Sequence, residues 1–256
     1  MTTTAMAPAA ASPFSRITRV VRLNLANPRP TMITPALILG GIFALSFAIW
    51  LLVSANFDPS ERADASDGTQ FSGAASWIFF YMLVVAVQAM NLTFPLALGY
   101  GSTRRDFYLG SALTFVLLSA GWALGLTILS MIETATNGWG VGLRMFTAIY
   151  FGGGENDAWQ RLVIFFCVML WFFFVGAAFA AVYVRWKAFG LTLSFLVLAA
   201  ALVGIIALIT WAQAWGSVGQ FFMTNQAIGV ALWLLVPTSI AGLVGYLLMR
   251  RATPRS

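Results

Sequence analysis

Six apolar runs, each about as long as a bilayer's hydrocarbon core is thick, constrain this chain more than any other feature. They cover residues 33–53, 77–98, 107–132, 162–184, 189–211 and 228–249. A helix of about 20 apolar residues spans the roughly 30 Å core. Composition agrees: 60% of residues are hydrophobic and 9% charged, where a soluble domain carries about a quarter charged residues. The expected fold is an all-α polytopic membrane protein with six transmembrane helices.

Charge placement predicts orientation, because cytoplasmic loops hold the excess of lysine and arginine. One set of helix ends carries Arg16, Arg19, Arg22, Arg29, Arg104, Arg105, Arg185, Lys187, Arg250, Arg251 and Arg255 against the single acid Asp106. The other carries Arg62, Arg144 and Arg161 against Asp58, Glu61, Asp64, Asp67, Glu133, Glu155 and Asp157. The ends sum to +10 and −4, so both termini are expected in the cytoplasm of a bacterial cell and the cation-rich loops beside them. The basic balance thus reports topology in a plasma membrane and does not point to nucleic acid.

The first dozen residues are small and uncharged, and the arginines follow them, which is the wrong order for a secretory signal. At about 100° per residue, Phe14, Ile17, Val21 and Leu25 share one face, and Arg16, Arg19 and Arg22 lie on another. This pattern predicts an amphipathic helix on the inner leaflet, ended by Asn27-Pro-Arg-Pro30. It reads either as a topology anchor or as an interfacial helix whose three arginines meet a cytoplasmic partner or lipid phosphates. Residues 1–30 form the expected N-terminal segment and 31–256 the six-helix transmembrane domain.

The acid-side loops differ in kind. Residues 56–76, with Asp-Pro and Asp-Gly pairs, read as a solvated hairpin. Within 133–160, the aromatic stretch 139–150 suits a short interfacial helix. Residues 212–227 carry no charge and hold Trp215, Phe221 and Phe222, consistent with a re-entrant cap or an aromatic-belt loop.

Chemistry is limited by what is missing. There is no histidine, which removes histidine-ligated metal and His-dependent catalysis, and no GxxxxGK[ST] phosphate loop. The one cysteine, Cys167, lies mid-run and reads as a packing residue. No enzyme, metal or resident cofactor is expected. Proton-coupled transport is also disfavoured, since ionisable groups are nearly absent at membrane depth. Glu133 reads as facing water at the end of the third run. Gln88 and Asn91 are the deepest amides, three apart on one helical face, and either bond a neighbouring helix or line a translocation path. Gly121 and Gly125, and Gly176 with Ala180, allow close helix contacts within the subunit or at a dimer seam. Pro95 and Pro237 are expected to kink the second and sixth helices.

Between the second and third runs lies Gly99-Tyr-Gly-Ser-Thr-Arg-Arg-Asp-Phe-Tyr-Leu-Gly110. Thr103-Arg-Arg-Asp106 fits the capping box that opens a helix, and Asp106 suits the positive end of the helix dipole. Taken locally, this is a short cytoplasmic turn with a good cap.

Set between the second and third of six runs, Ser102-Thr-Arg-Arg-Asp-Phe-Tyr-Leu-Gly110 resembles the permease subunits of ABC-2 type (type-2) ABC transporters. The helix before the first run, the segment 133–140 and the glycine-rich stretch before the sixth run are similar in layout. The resemblance implies that the loop is a coupling helix docking into a separate ABC ATP-binding subunit. Ser102, Thr103, Arg104, Arg105, Asp106 and Phe107 would be the contact residues, with ATP and Mg on the partner chain. It further implies two permeases, identical or related, and export of a hydrophobic or amphiphilic cargo such as a lipid, peptide or antibiotic. A different class of reading is a membrane assembly or sensor subunit that uses the same loop only to hold a partner.

Overall fold

The computed structural model describes residues 13–152 and 157–251. The helices are α1 (Pro13–Leu25), α2 (Thr34–Ser54), α3 (Pro59–Thr69), α4 (Trp77–Gly99), α5 (Arg104–Ala135), α6 (Ala158–Trp211), α7 (Trp215–Trp233) and α8 (Leu235–Arg251). π-type turns at Arg29–Ile33 and Gly138–Gly142 and a 3-10 turn at Ile149–Phe151 complete the set, and no strand occurs among the described residues.

Five helical stretches are long and apolar enough to cross a membrane: Arg29–Ser54, Trp77–Gly99, Arg104–Ala135, Ala158–Trp211 and Trp215–Arg250. They are compatible with a membrane-embedded protein. All six apolar runs are helical, but 162–184 and 189–211 belong to one 54-residue element. Straight, it would measure about 80 Å, far beyond one bilayer crossing. It is broken at Lys187, whose backbone sits at φ 58°, ψ −151°. Phe179 and Phe195, eight residues on either side of that break, stack with ring centroids 4.9 Å apart. The element is therefore a helical hairpin with two antiparallel limbs. The sixth run spans the end of α7 and α8, with Leu234 between them.

Apolar tails solvate apolar side chains as well as a neighbouring helix does, so helices in lipid associate through close packing and hydrogen bonds. Both are visible here. A Cβ at Gly176 would lie 2.5 Å from the Leu83 carbonyl oxygen and 3.1 Å from Ala86 Cβ, so glycine sets the distance between α4 and the first limb of α6. On α5, Phe115 stacks on Phe173 of that limb at 5.1 Å. These three helices hold the fully buried Phe94, Phe107, Phe115, Phe165 and Phe173. Cys167 is buried and unbonded in the same core, as expected of a packing residue.

α2 is held by three hydrogen bonds near its ends and, midway, by the buried Leu39 and by Phe43, whose ring lies 4.7 Å from that of Trp139. Tyr81 Oη donates to the Pro30 carbonyl (3.1 Å), Trp122 Nε1 to that of Thr31 (3.0 Å), and Trp50 Nε1 to that of Val141 (2.6 Å). Its outward face is open, as is much of the second limb of α6: Leu45 is 66% exposed and Val203 64%. Gly121 and Gly125 on α5 have nothing within 4 Å of a Cβ position, so this pair makes no close contact within the subunit, unlike Gly176.

Two loop expectations are corrected and a third is refined. The expected hairpin over 56–76 contains helix α3, because Asp58 and Glu61 form a capping box around Pro59 at the first helical position. The expected interfacial helix over 139–150 is instead a glycine-rich turn, with Gly138, Gly140 and Gly142 at positive φ, followed by a bent, non-helical segment over 143–148. The segment 212–227 is helical from Trp215, bounded by breaks at Gln213 (φ 49°) and Gln226 (φ 52°). Glu155, Arg255 and residues 1–12 lie outside the described residues.

Candidate functional site

The charged segment between α4 and α5 is built from its cap. Thr103 has extended backbone (φ −76°, ψ 156°), and its hydroxyl accepts from the Asp106 amide at 3.1 Å. This is the threonine half of the expected capping box; the Asp106 carboxylate does not return to the Thr103 amide but turns to α1. The turn is then gripped from three sides. Asp106 is 6% exposed and pairs with Arg16 of α1, Nε to Oδ2 at 3.0 Å. Phe107 is fully buried against Phe94 of α4, centroids 5.2 Å apart. Tyr108 donates from its hydroxyl to the Gly242 carbonyl of α8 at 2.6 Å and meets Tyr246 edge to face.

One turn on, Gly110 lets α1 lie directly on α5, since a Cβ there would fall 2.5 Å from Val20 Cβ. Beside it, Asn24 of α1 joins three helices through one amide. Its nitrogen donates to the hydroxyls of Ser111 (3.3 Å) and Thr114 (3.5 Å), and its oxygen accepts from Thr93 of α4 (3.1 Å). Such a satisfied network fixes helix register where water is excluded.

Of the six residues expected to touch a partner, Asp106 and Phe107 thus face the chain's own interior. Arg105 and Thr103 are exposed, and Ser102 and Arg104 half-buried. On α1, the expected separation of faces is refined. Arg19 and Arg22 are exposed, Arg16 turns inward to Asp106, and Phe14 at 73% exposure is on the open apolar side. A cleft of about 490 Å³ runs between α1 and the α4–α5 turn, lined by Arg16, Arg19, Tyr100, Gly101 and Ser102. The two ion pairs among the described residues are Arg16–Asp106 and Arg144–Asp67, which leaves Arg19, Arg22, Arg104 and Arg105 without a carboxylate partner there.

Gln88 is exposed on α4, and Asn91 is half-buried with an Oδ1 that has no hydrogen-bond partner among the described residues. Neither bonds a neighbouring helix; the α1–α4–α5 link is made by Thr93 and Asn24 instead.

At the opposite end, Glu133 overturns the expectation of a water-facing carboxylate. It is 1% exposed and accepts from the amides of Met145 (2.9 Å), Phe146 (3.0 Å) and Thr147 (2.8 Å). The Thr147 hydroxyl (2.6 Å) and Trp139 Nε1 (3.1 Å) complete the cage. Arg161 is buried alongside, donating to the Ser130 carbonyl and the Thr134 hydroxyl. The loop folded around Glu133 also carries α3, through Ser66 Oγ to the Gly142 carbonyl (2.6 Å) and Arg144 to Asp67 (3.2 Å).

No group of three or more potential metal ligands occurs among the described residues. No family model, curated protein or solved structure matches this chain.

Proposed function

We propose that the chain is the transmembrane permease subunit of an ATP-driven exporter of the ABC-2 type. The observation that carries this reading is the two-sided build of the α4–α5 turn. Its inner side is tied to α1, α4 and α8, while Thr103 is open and Arg105, with Arg19 and Arg22 of α1, is exposed without a carboxylate partner among the described residues. Such a surface suits acidic groups on a cytoplasmic partner, through charge-assisted bonds. The sequence has no phosphate loop and almost no ionisable residue within its apolar runs, so energy would come from another polypeptide.

In this reading the chain crosses a bacterial plasma membrane six times, counting both limbs of α6, with its termini in the cytoplasm. α1 lies in the inner headgroup layer, with Phe14 toward lipid. A second permease completes the pathway, Gln88 and Asn91 face it, and a hydrophobic or amphiphilic substrate passes outward.

Co-purification of an ABC ATP-binding subunit with this chain from its native membrane, followed by ATP hydrolysis in nanodiscs, tests the assignment. Arg105→Glu is expected to weaken assembly at least tenfold, and the half-buried Arg104→Glu less, since a charge-assisted bond contributes about 1.5–3 kcal/mol. If no ATPase co-purifies, or both reversals leave assembly and hydrolysis unchanged, the reading is wrong.

A further inference from the structure

A crevice of about 640 Å³ opens between the two limbs of α6 and α8, within the roughly 300–1,000 Å³ typical of ligand sites. Val175, Phe179, Leu193, Val197 and Ile240 form its walls, and Trp186 closes one end. Its one lining hydroxyl, Ser194, already donates to the Gly190 carbonyl at 2.9 Å, so the interior offers hydrocarbon contact and nothing else of note. No acid lines it.

The Trp186 end is different in character. There the hairpin turns through Arg185-Trp186-Lys187, with the Arg185 guanidinium 4.6 Å from the Trp186 ring centre. Both cations are exposed, and neither has a carboxylate partner among the described residues. Lys187 occupies a backbone region that is nearly reserved for glycine, so the turn keeps a charged side chain where glycine would be less strained. From Trp186 to Val175 the wall runs eleven residues, about 16 Å of helix. That is half of a roughly 30 Å hydrocarbon core, the reach of one lipid tail in one leaflet.

We propose that this crevice binds an anionic phospholipid, one acyl chain lying along the limbs and the phosphate resting on Arg185 and Lys187. A second copy of the chain is the weaker occupant. Its cation-rich end carries a single acidic side chain, Asp106, already held by Arg16, so it could not neutralise this pair. The inference needs a bilayer around the protein but not ATP-driven transport, so it stands or falls separately from the exporter reading.

The full chain is reconstituted with phosphatidylglycerol and phosphatidylcholine in equal amounts, and retained lipid is counted by native mass spectrometry. Phosphatidylglycerol is expected to be held at least about fivefold over phosphatidylcholine. Arg185→Gln and Lys187→Gln should each weaken its retention about fivefold, and Lys187→Arg should preserve it. Lys187→Gly separates binding from folding, because it should raise the melting temperature while lowering phosphatidylglycerol retention. Ala178→Phe, which fills the crevice, should expel lipid with both charges intact, and inorganic phosphate should not compete. Equal retention of the two lipids, or retention unchanged in the double charge variant, overturns the proposal. So does an Ala178→Phe protein that keeps its phosphatidylglycerol, which would place the lipid elsewhere on the chain.

Discussion

Replacing Glu133 by Gln should release the loop over 138–151 while leaving the helical core folded. The carboxylate accepts three backbone amides, one hydroxyl and one indole N–H, all in a site where Glu133 is 1% exposed. A glutamine keeps one acceptor oxygen and turns an NH2 donor toward the rest. At least one or two amides among Met145, Phe146 and Thr147 then lose their partner, and a buried unsatisfied donor costs about 1–3 kcal/mol. The local penalty is therefore roughly 2–4 kcal/mol. Since about 1.4 kcal/mol is tenfold in an equilibrium, amide exchange at residues 145–147 should quicken by about 30- to 1,000-fold. Exchange at Phe107, Phe115 and Leu126, buried in the α4–α5–α6 core, should not change. Hydrogen exchange read by mass spectrometry on detergent-solubilised protein resolves both regions. Acceleration of less than threefold at 145–147, or equal acceleration throughout, would refute the idea that this carboxylate is what folds the loop.

Two further outcomes follow from close contacts. Tyr108→Phe removes the bond to the Gly242 carbonyl and should cost about 1 kcal/mol, whereas Gly245→Ala puts a methyl 2.8 Å from the Tyr108 hydroxyl. Because the two changes share one oxygen, the double variant should be less destabilised than the sum of the singles, read by thermal unfolding in a double-mutant cycle. Gly176→Ala meets the Leu83 carbonyl and should destabilise by about 1–3 kcal/mol, while Gly125→Ala, with open space around it, should be neutral or stabilise by up to about 1 kcal/mol. Equal melting shifts for the two glycines would show that Gly176 does not set the α4–α6 distance.

What could be read from the sequence depended on how local its cause was. The apolar runs were legible because bilayer thickness fixes their length, and the α5 start because Thr103 and Asp106 lie three residues apart. α3 was equally legible: Asp58-Pro-Ser-Glu61 is the same box with proline at the first helical position, and reading Asp-Pro as a turn overlooks the glutamate. The Glu133 cage was not legible, since its main donors are backbone amides 12 to 14 residues away, which any side chains could carry. Nor was the Arg16–Asp106 pair, which joins residues 90 positions apart and takes one arginine out of an otherwise solvent-facing set. The hairpin in α6 was legible as two apolar runs, 162–184 and 189–211, parted by Arg185 and Lys187, and the chain breaks at Lys187 between them.

The α4–α5 turn gains its mechanical meaning from how little of it is free. Around the helix axis at about 100° per residue, Asp106, Phe107, Tyr108, Gly110 and Ser111 cover more than half the circumference, and all are buried. Arg105 and Leu109 share the remaining stripe, both exposed. Three neighbours hold these positions: α1 holds Asp106, Gly110 and Ser111, α4 holds Phe107, and α8 holds Tyr108. A displacement of this turn cannot relax within α5 alone, because close-packed and directional contacts transmit strain. It carries α1, α4 and α8 with it. α2 is tied to the rest by bonds involving Tyr81, Trp122 and Trp50 near its two ends and by Leu39 and Phe43 between them, while its outward face stays open. Displacement of the first turn of α5 is therefore shared with α1, α4 and α8, whereas α2 follows it only through these bonds and the Leu39 and Phe43 contacts.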